Sequence, residues 1–119
     1  MKTILIGISA LLGFASTVDL TGKWETKPSE SGVVTAAVFK SDNTYEAYRN
    51  NQPFVYGTYN FNAADSTIEI EDEGCSGIKG IYKVNFFSDA DSVRFTAIQD
   101  DCSNRKTAIE SAVLGKVKE

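Results

Sequence analysis

Residues 54–71 read FVYGTYNFNAADSTIEIE. Val55, Gly57, Tyr59 and Phe61 fall on one face of an extended chain, and Tyr56, Thr58 and Asn60 on the other. Asn62 to Ser66 is built from turn formers. After it, Ile68 and Ile70 alternate with Glu69 and Glu71. A period of two marks a strand with one apolar face, and a short polar turn joins two such strands as an antiparallel hairpin. The stretch predicts neighbouring strands with Tyr59, Phe61, Ile68 and Ile70 turned inward.

The same period extends in both directions. Upstream, Leu20, Gly22, Trp24 and Thr26 alternate with polar neighbours, which puts Trp24 inside a first strand. Residues 33–40 form a second strand, Ser41-Asp42-Asn43 a turn, and 44–49 a third strand carrying Tyr45 and Tyr48. Asn50-Asn51-Gln52-Pro53 is the next turn. Downstream, 72–78 is a polar loop, and 80–87 is a strand with Tyr82, Val84 and Phe86 inward. A turn at 88–91 precedes a strand with Val93, Phe95 and Ala97 inward. Residues 100–105 form a loop leading into one helical turn at 106–110, and 111–117 is the last strand.

This gives eight strands joined by short connections, and no segment long and periodic enough for a parallel crossover. The predicted class is all-β: an eight-stranded antiparallel up-and-down barrel, whose closure removes exposed edges. A β-sandwich is the alternative, because alternation does not fix closure. Three Gly-x-aromatic pieces recur: Gly22-Lys23-Trp24, Gly57-Thr58-Tyr59 and Gly80-Ile81-Tyr82. Each glycine shares a face with its aromatic residue, where it permits a bend or a close approach.

Composition narrows the chemistry. The 119 residues carry a net charge of −4 and no histidine. That removes imidazole bases and histidine metal ligands, and the acidic balance excludes a basic footprint for nucleic acid. Met1-Lys2-Thr3, the apolar run from Ile4 to Gly13 and small residues at Gly13 and Ala15 form the three parts of a secretory signal. The expected division is a signal peptide over 1–16 and a barrel domain over 17–119. The apolar run is too short to span a bilayer, so no stable membrane insertion is expected once the signal is cleaved. Cys75 and Cys102 are the only cysteines. In an exported chain such a pair favours a disulfide, two free thiols being the other state open to them.

Taken together, the Gly-x-Trp of Gly22-Lys23-Trp24, the eight strands and an Arg just before the last strand resemble the lipocalin pattern. The chain is most similar to short secreted lipocalin-like proteins. The matching pieces are Asn43-Thr44-Tyr45, Gly57-Thr58-Tyr59, Glu73-Gly74-Cys75, Gly80-Ile81-Tyr82 and Asp100-Asp101-Cys102-Ser103-Asn104-Arg105. The resemblance implies that Trp24 closes the barrel floor and that Arg105 stacks across it, a cation–π clamp. The chain departs from the pattern in its short strands and in lacking a long first loop and a clear C-terminal helix.

An open-ended barrel would be lined by Phe39, Tyr45, Tyr59, Phe61, Ile70, Tyr82, Phe86 and Phe95, the candidate ligand-binding residues. A filled core is the other outcome. The acids Asp72/Glu73 and Asp100/Asp101 have the chemistry for an acid/base pair or a calcium site, but an exposed acidic rim is the expectation, as for Asp89 and Asp91. Arg49 and Lys79 are loose candidates for an anionic head group. The resulting expectation is a secreted or periplasmic monomer that binds a small apolar or amphipathic molecule without catalysis, with no cofactor, metal or nucleic acid. The alternative is a protein-interaction module, an enzyme inhibitor or envelope accessory protein, with a filled core.

Overall fold

The computed structural model describes residues 18–118, so the expected signal segment lies outside the described residues. Eight strands close into one antiparallel barrel in chain order: β1 (Gly22–Glu25), β2 (Thr35–Phe39), β3 (Thr44–Arg49), β4 (Gln52–Asn62), β5 (Thr67–Asp72), β6 (Gly80–Phe87), β7 (Ser92–Asp100) and β8 (Val113–Lys116). The barrel, not the sandwich, is formed, because β8 turns back to pair Lys116 and Gly115 with Trp24 and Glu25.

The hairpin over 54–71 forms with Tyr59 opposite Ile70 and Phe61 opposite Ile68. Its alternation becomes burial: Tyr59, Ile68 and Ile70 are buried, and Phe61 packs against them. Leu20, Trp24, Tyr82, Val84 and Val93 are the most enclosed side chains. The Asn50–Gln52 region differs from expectation. Asn50 and Asn51 both adopt positive φ, which closes a two-residue hairpin turn, so Gln52 and Pro53 join β4. Asparagine tolerates that conformation better than most residues. Phe54 and Ile98 are the extra residues at two register shifts, between Ala47 and Tyr48 and between Ile81 and Tyr82. Such bulges bend and twist the strands, as a small barrel requires.

The larger difference is a helix, α1 (Ser103–Ser111), where only one turn at 106–110 was expected. Few apolar residues mark it, yet Arg105, Ile109 and the following Ala112 recur at i, i+4 and i+7, Arg105 buried and the other two packed against the core. Glu110 of α1 accepts from the Ala97 amide at 2.9 Å, so the helix covers the edge that β7 leaves beyond the short β8. Up-and-down topology then sorts the connections. The turns at 40–43, 63–66 and 88–91 lie at one end; 26–34, 50–51, 73–79 and 101–112 lie at the other.

The expected clamp between Trp24 and Arg105 is not formed. Trp24 packs beside Phe86, donates from Nε1 to Leu20 O at 2.8 Å and lies under Lys116, whose Nζ is 4.9 Å from the ring. Phe86 is at the far end of β6 from Gly80, and Arg105 is at the Gly80 end. Lys116 closes β8 and pairs directly with Trp24, so the lysine reaches the indole first.

Candidate functional site

Small residues decide where the barrel is hollow. Ala37 on β2 and Ala47 on β3 stand opposite each other, α1 adds Ala108, and Ala112 follows at its end. Alanines there leave a cavity of about 400 Å³ at the end of the barrel that α1 covers. Phe39, Tyr45, Ile70, Tyr82 and Phe95 line it, five of the eight residues expected to do so. Tyr59, Phe61 and Phe86 do not. Tyr59 meets Phe39 edge-on and donates to Lys40 O at 2.7 Å, while Phe61 and Phe86 pack on each other beneath Trp24. They pack toward the other end of the barrel. A larger depression of about 610 Å³ runs along β8 between Glu25, Ser92 and Val117, but it is a surface groove without a buried polar group.

One wall of the cavity is polar, and glycines make it possible. Gly57 lies between Tyr45 and Asp72 in the sheet. A Cβ there would stand 2.7 Å from Tyr45 Cε1, so only a glycine lets the ring cross β4 and donate its hydroxyl to Asp72 Oδ2 at 2.8 Å. Gly80 plays the same part for Asp100, whose Oδ2 would be 2.6 Å from an added Cβ. Tyr82, two residues along the same strand, donates to that oxygen. The glycines of two of the three Gly-x-aromatic pieces thus shape this wall, with Tyr82 the one aromatic residue of those two pieces that joins it.

Arg105 joins the two carboxylates. Its Nε and Nη2 grip Asp100 at 2.8 and 2.7 Å, Nη1 reaches Asp72 Oδ2 at 3.2 Å, and Nη2 also meets Ile78 O at 2.8 Å. The Cys102 amide donates to Asp100 Oδ1 at 2.9 Å. The side chains of Arg105, Asp72 and Asp100 are 7%, 5% and 0% exposed, so this is an interior ion cluster. Asp72 and Asp100 therefore do not belong to an exposed rim, whereas Glu73 and Asp101 remain exposed as expected. No group of three potential metal ligands gathers among the described residues.

Burial pushes the Asp100 carboxyl up, but the hydrogen bonds from Arg105, Tyr82 and the Cys102 amide outweigh it and hold the group at about 2. Burial, then the hydrogen bond to Asp72, drives the Tyr45 phenol far above its usual range, and burial and Asp100 do the same for Tyr82. Asp100 strengthens the hold of Arg105 on its proton, against the opposing effect of burial. Cys75 and Cys102 form the disulfide and also line the cavity, tying the turn after β5 to the start of α1. Of the two basic candidates, Arg49 lies at the cavity mouth, its guanidinium 4.4 Å over Phe54. Lys79 is exposed and faces Glu69 at 3.5 Å.

The family described as a domain of unknown function (DUF3994) matches residues 15–83. The chain belongs to that family. The matched span carries Tyr45, Gly57, Asp72, Gly80 and Tyr82, and Asp100 and Arg105 follow it. No curated protein matches the chain.

The Arg105–Asp72–Asp100 cluster is the part of the site that sequence reasoning missed. The acids sit beside Glu73 and Asp101 and read as loop residues. The available signal is the alternation itself, which places Asp72 on the face of Ile68 and Ile70.

Proposed function

We propose that this chain is an exported lipocalin-like carrier that holds one small apolar or amphipathic molecule without chemistry. The cavity of about 400 Å³ at the end of the barrel that α1 covers carries this reading. That volume falls within the range of roughly 300–1,000 Å³ typical of small-molecule sites, and apolar walls with a few convergent polar groups are their usual make-up. The polar groups also favour holding over converting. Asp100 is an acid only near about 2 and both phenols stay protonated, so these three offer no proton exchange at neutral pH. The Cys75–Cys102 disulfide and the signal-like segment at 1–16 support export.

Titration with N-phenyl-1-naphthylamine, whose fluorescence rises in apolar surroundings, tests the reading. Saturable binding at one site is expected. Ala47→Phe should abolish it by filling the cavity while the barrel melts at an unchanged or higher temperature. Absence of saturable binding, or equal binding by the Ala47→Phe chain, would return weight to the interaction-module reading.

A further inference from the structure

The ion cluster behind the polar wall is unbalanced: Asp72 and Arg105 line the cavity, and Asp100 lies buried behind them. Two carboxylates, Asp72 and Asp100, face one guanidinium, and the tyrosines that complete the cluster are neutral donors. Asp100 and Arg105 satisfy each other through paired hydrogen bonds. Asp72 is served less well. Its Oδ2 takes both the Tyr45 hydroxyl and the single Nη1 contact, and its Oδ1 has no hydrogen-bond partner among the described residues. That oxygen is not sealed, since no enclosed side-chain oxygen or nitrogen among the described residues lacks a partner. Asp72 lines the cavity, on a side chain 5% exposed. Gly74, which lines it too, keeps the approach to Oδ1 open: a Cβ there would stand 3.3 Å from that oxygen.

A buried carboxylate with an unused oxygen and no full counter-charge is costly unless something supplies the missing positive charge and donor. Arg49 is the remaining charged group on the cavity wall. It is exposed at the mouth and lies on Phe54, where water screens it from the interior. We infer that the cavity selects a small amphipathic amine, its ammonium donating to Asp72 Oδ1 and its apolar body lying against Ala37, Ala47, Ile70 and Phe95. This rests on the carrier reading above and names the class of its ligand.

Isothermal titration at pH 7 with n-octylamine, 1-octanol and sodium octanoate tests the inference, since the three share one apolar body and differ in the head. The amine is expected to bind at least about tenfold more tightly than the alcohol, as charge-assisted hydrogen bonds allow, with octanoate weakest. Asp72→Asn should remove the preference for the amine over the alcohol, their two affinities coming together. Should that chain fail to fold, Gly74→Ala, which crowds Oδ1 and leaves the ion cluster in place, should weaken the amine selectively. Octanol or octanoate binding as tightly as octylamine, or an amine preference that survives in the folded variant, overturns the inference and leaves the carrier reading standing. No binding of any of the three overturns both.

Discussion

Asp100 accepts from Arg105, Tyr82 and the Cys102 amide, and so its carboxylate is worth more to the folded chain than to the unfolded one. Its value of about 2 in the fold lies below the ordinary value of 3.8. Stability from this group is therefore complete above about pH 4 and is lost as the pH falls towards about 2, with an amplitude of roughly 2 kcal/mol. Asp100→Asn removes one partner of a buried pair and leaves Arg105 short of its counter-ion. Stability of that variant at pH 7 is expected to drop by about 3 kcal/mol, and the fall between about pH 4 and 2 should flatten. Urea unfolding across that range reads both effects. An Asp100→Asn chain as stable as the parent at pH 7 would show that the cluster is not held as described.

At the scale of elements, α1 is a weak helix made useful by its attachments. Its residues are mostly polar, and no side chain caps its start. Isolated helices this short are marginal in water, so tertiary contacts must hold it. The contacts are the Cys102 disulfide at its start, Arg105 in the ion cluster and Glu110 on β7. Cys75 and Cys102 are separated by 27 residues in sequence, and bridging a loop of that size stabilises by about 3–4 kcal/mol in the chain-entropy model. Replacing both cysteines by alanine should lower stability by that order. It should also speed amide exchange in α1 more than in β6. Equal acceleration throughout the chain would mean that the bridge acts on the unfolded ensemble alone and does not fasten the helix.

At the scale of the molecule, closure is uneven. β6 and β7 share a ladder that runs from Gly80–Asp100 to Phe87–Ser92. β8 meets β7 only across Ser92 to Arg94 and meets β1 only at Trp24 and Glu25. Short ladders open at lower free energy than long ones. Native-state hydrogen exchange should show β8 amides released before those of β6 and β7. If β8 is protected to the global limit, Lys116 over Trp24 and its bond to Thr21 O at 2.5 Å hold the seam more firmly than the ladder does.

The eight strands, their order and their inward faces were legible in the residues alone, because side chains two places apart on a strand share a face. The disulfide partners were legible too, since Cys75 and Cys102 had no competitors. Which acids are buried, where α1 runs and which cation covers Trp24 emerged only on folding. Asp72 and Arg105 are 33 residues apart, and nothing local to either predicts their contact. The cavity arises in the same way. Whether Ala37, Ala47, Ala108 and Ala112 leave a hollow or are filled by larger neighbours depends on which strands and helix closure brings together.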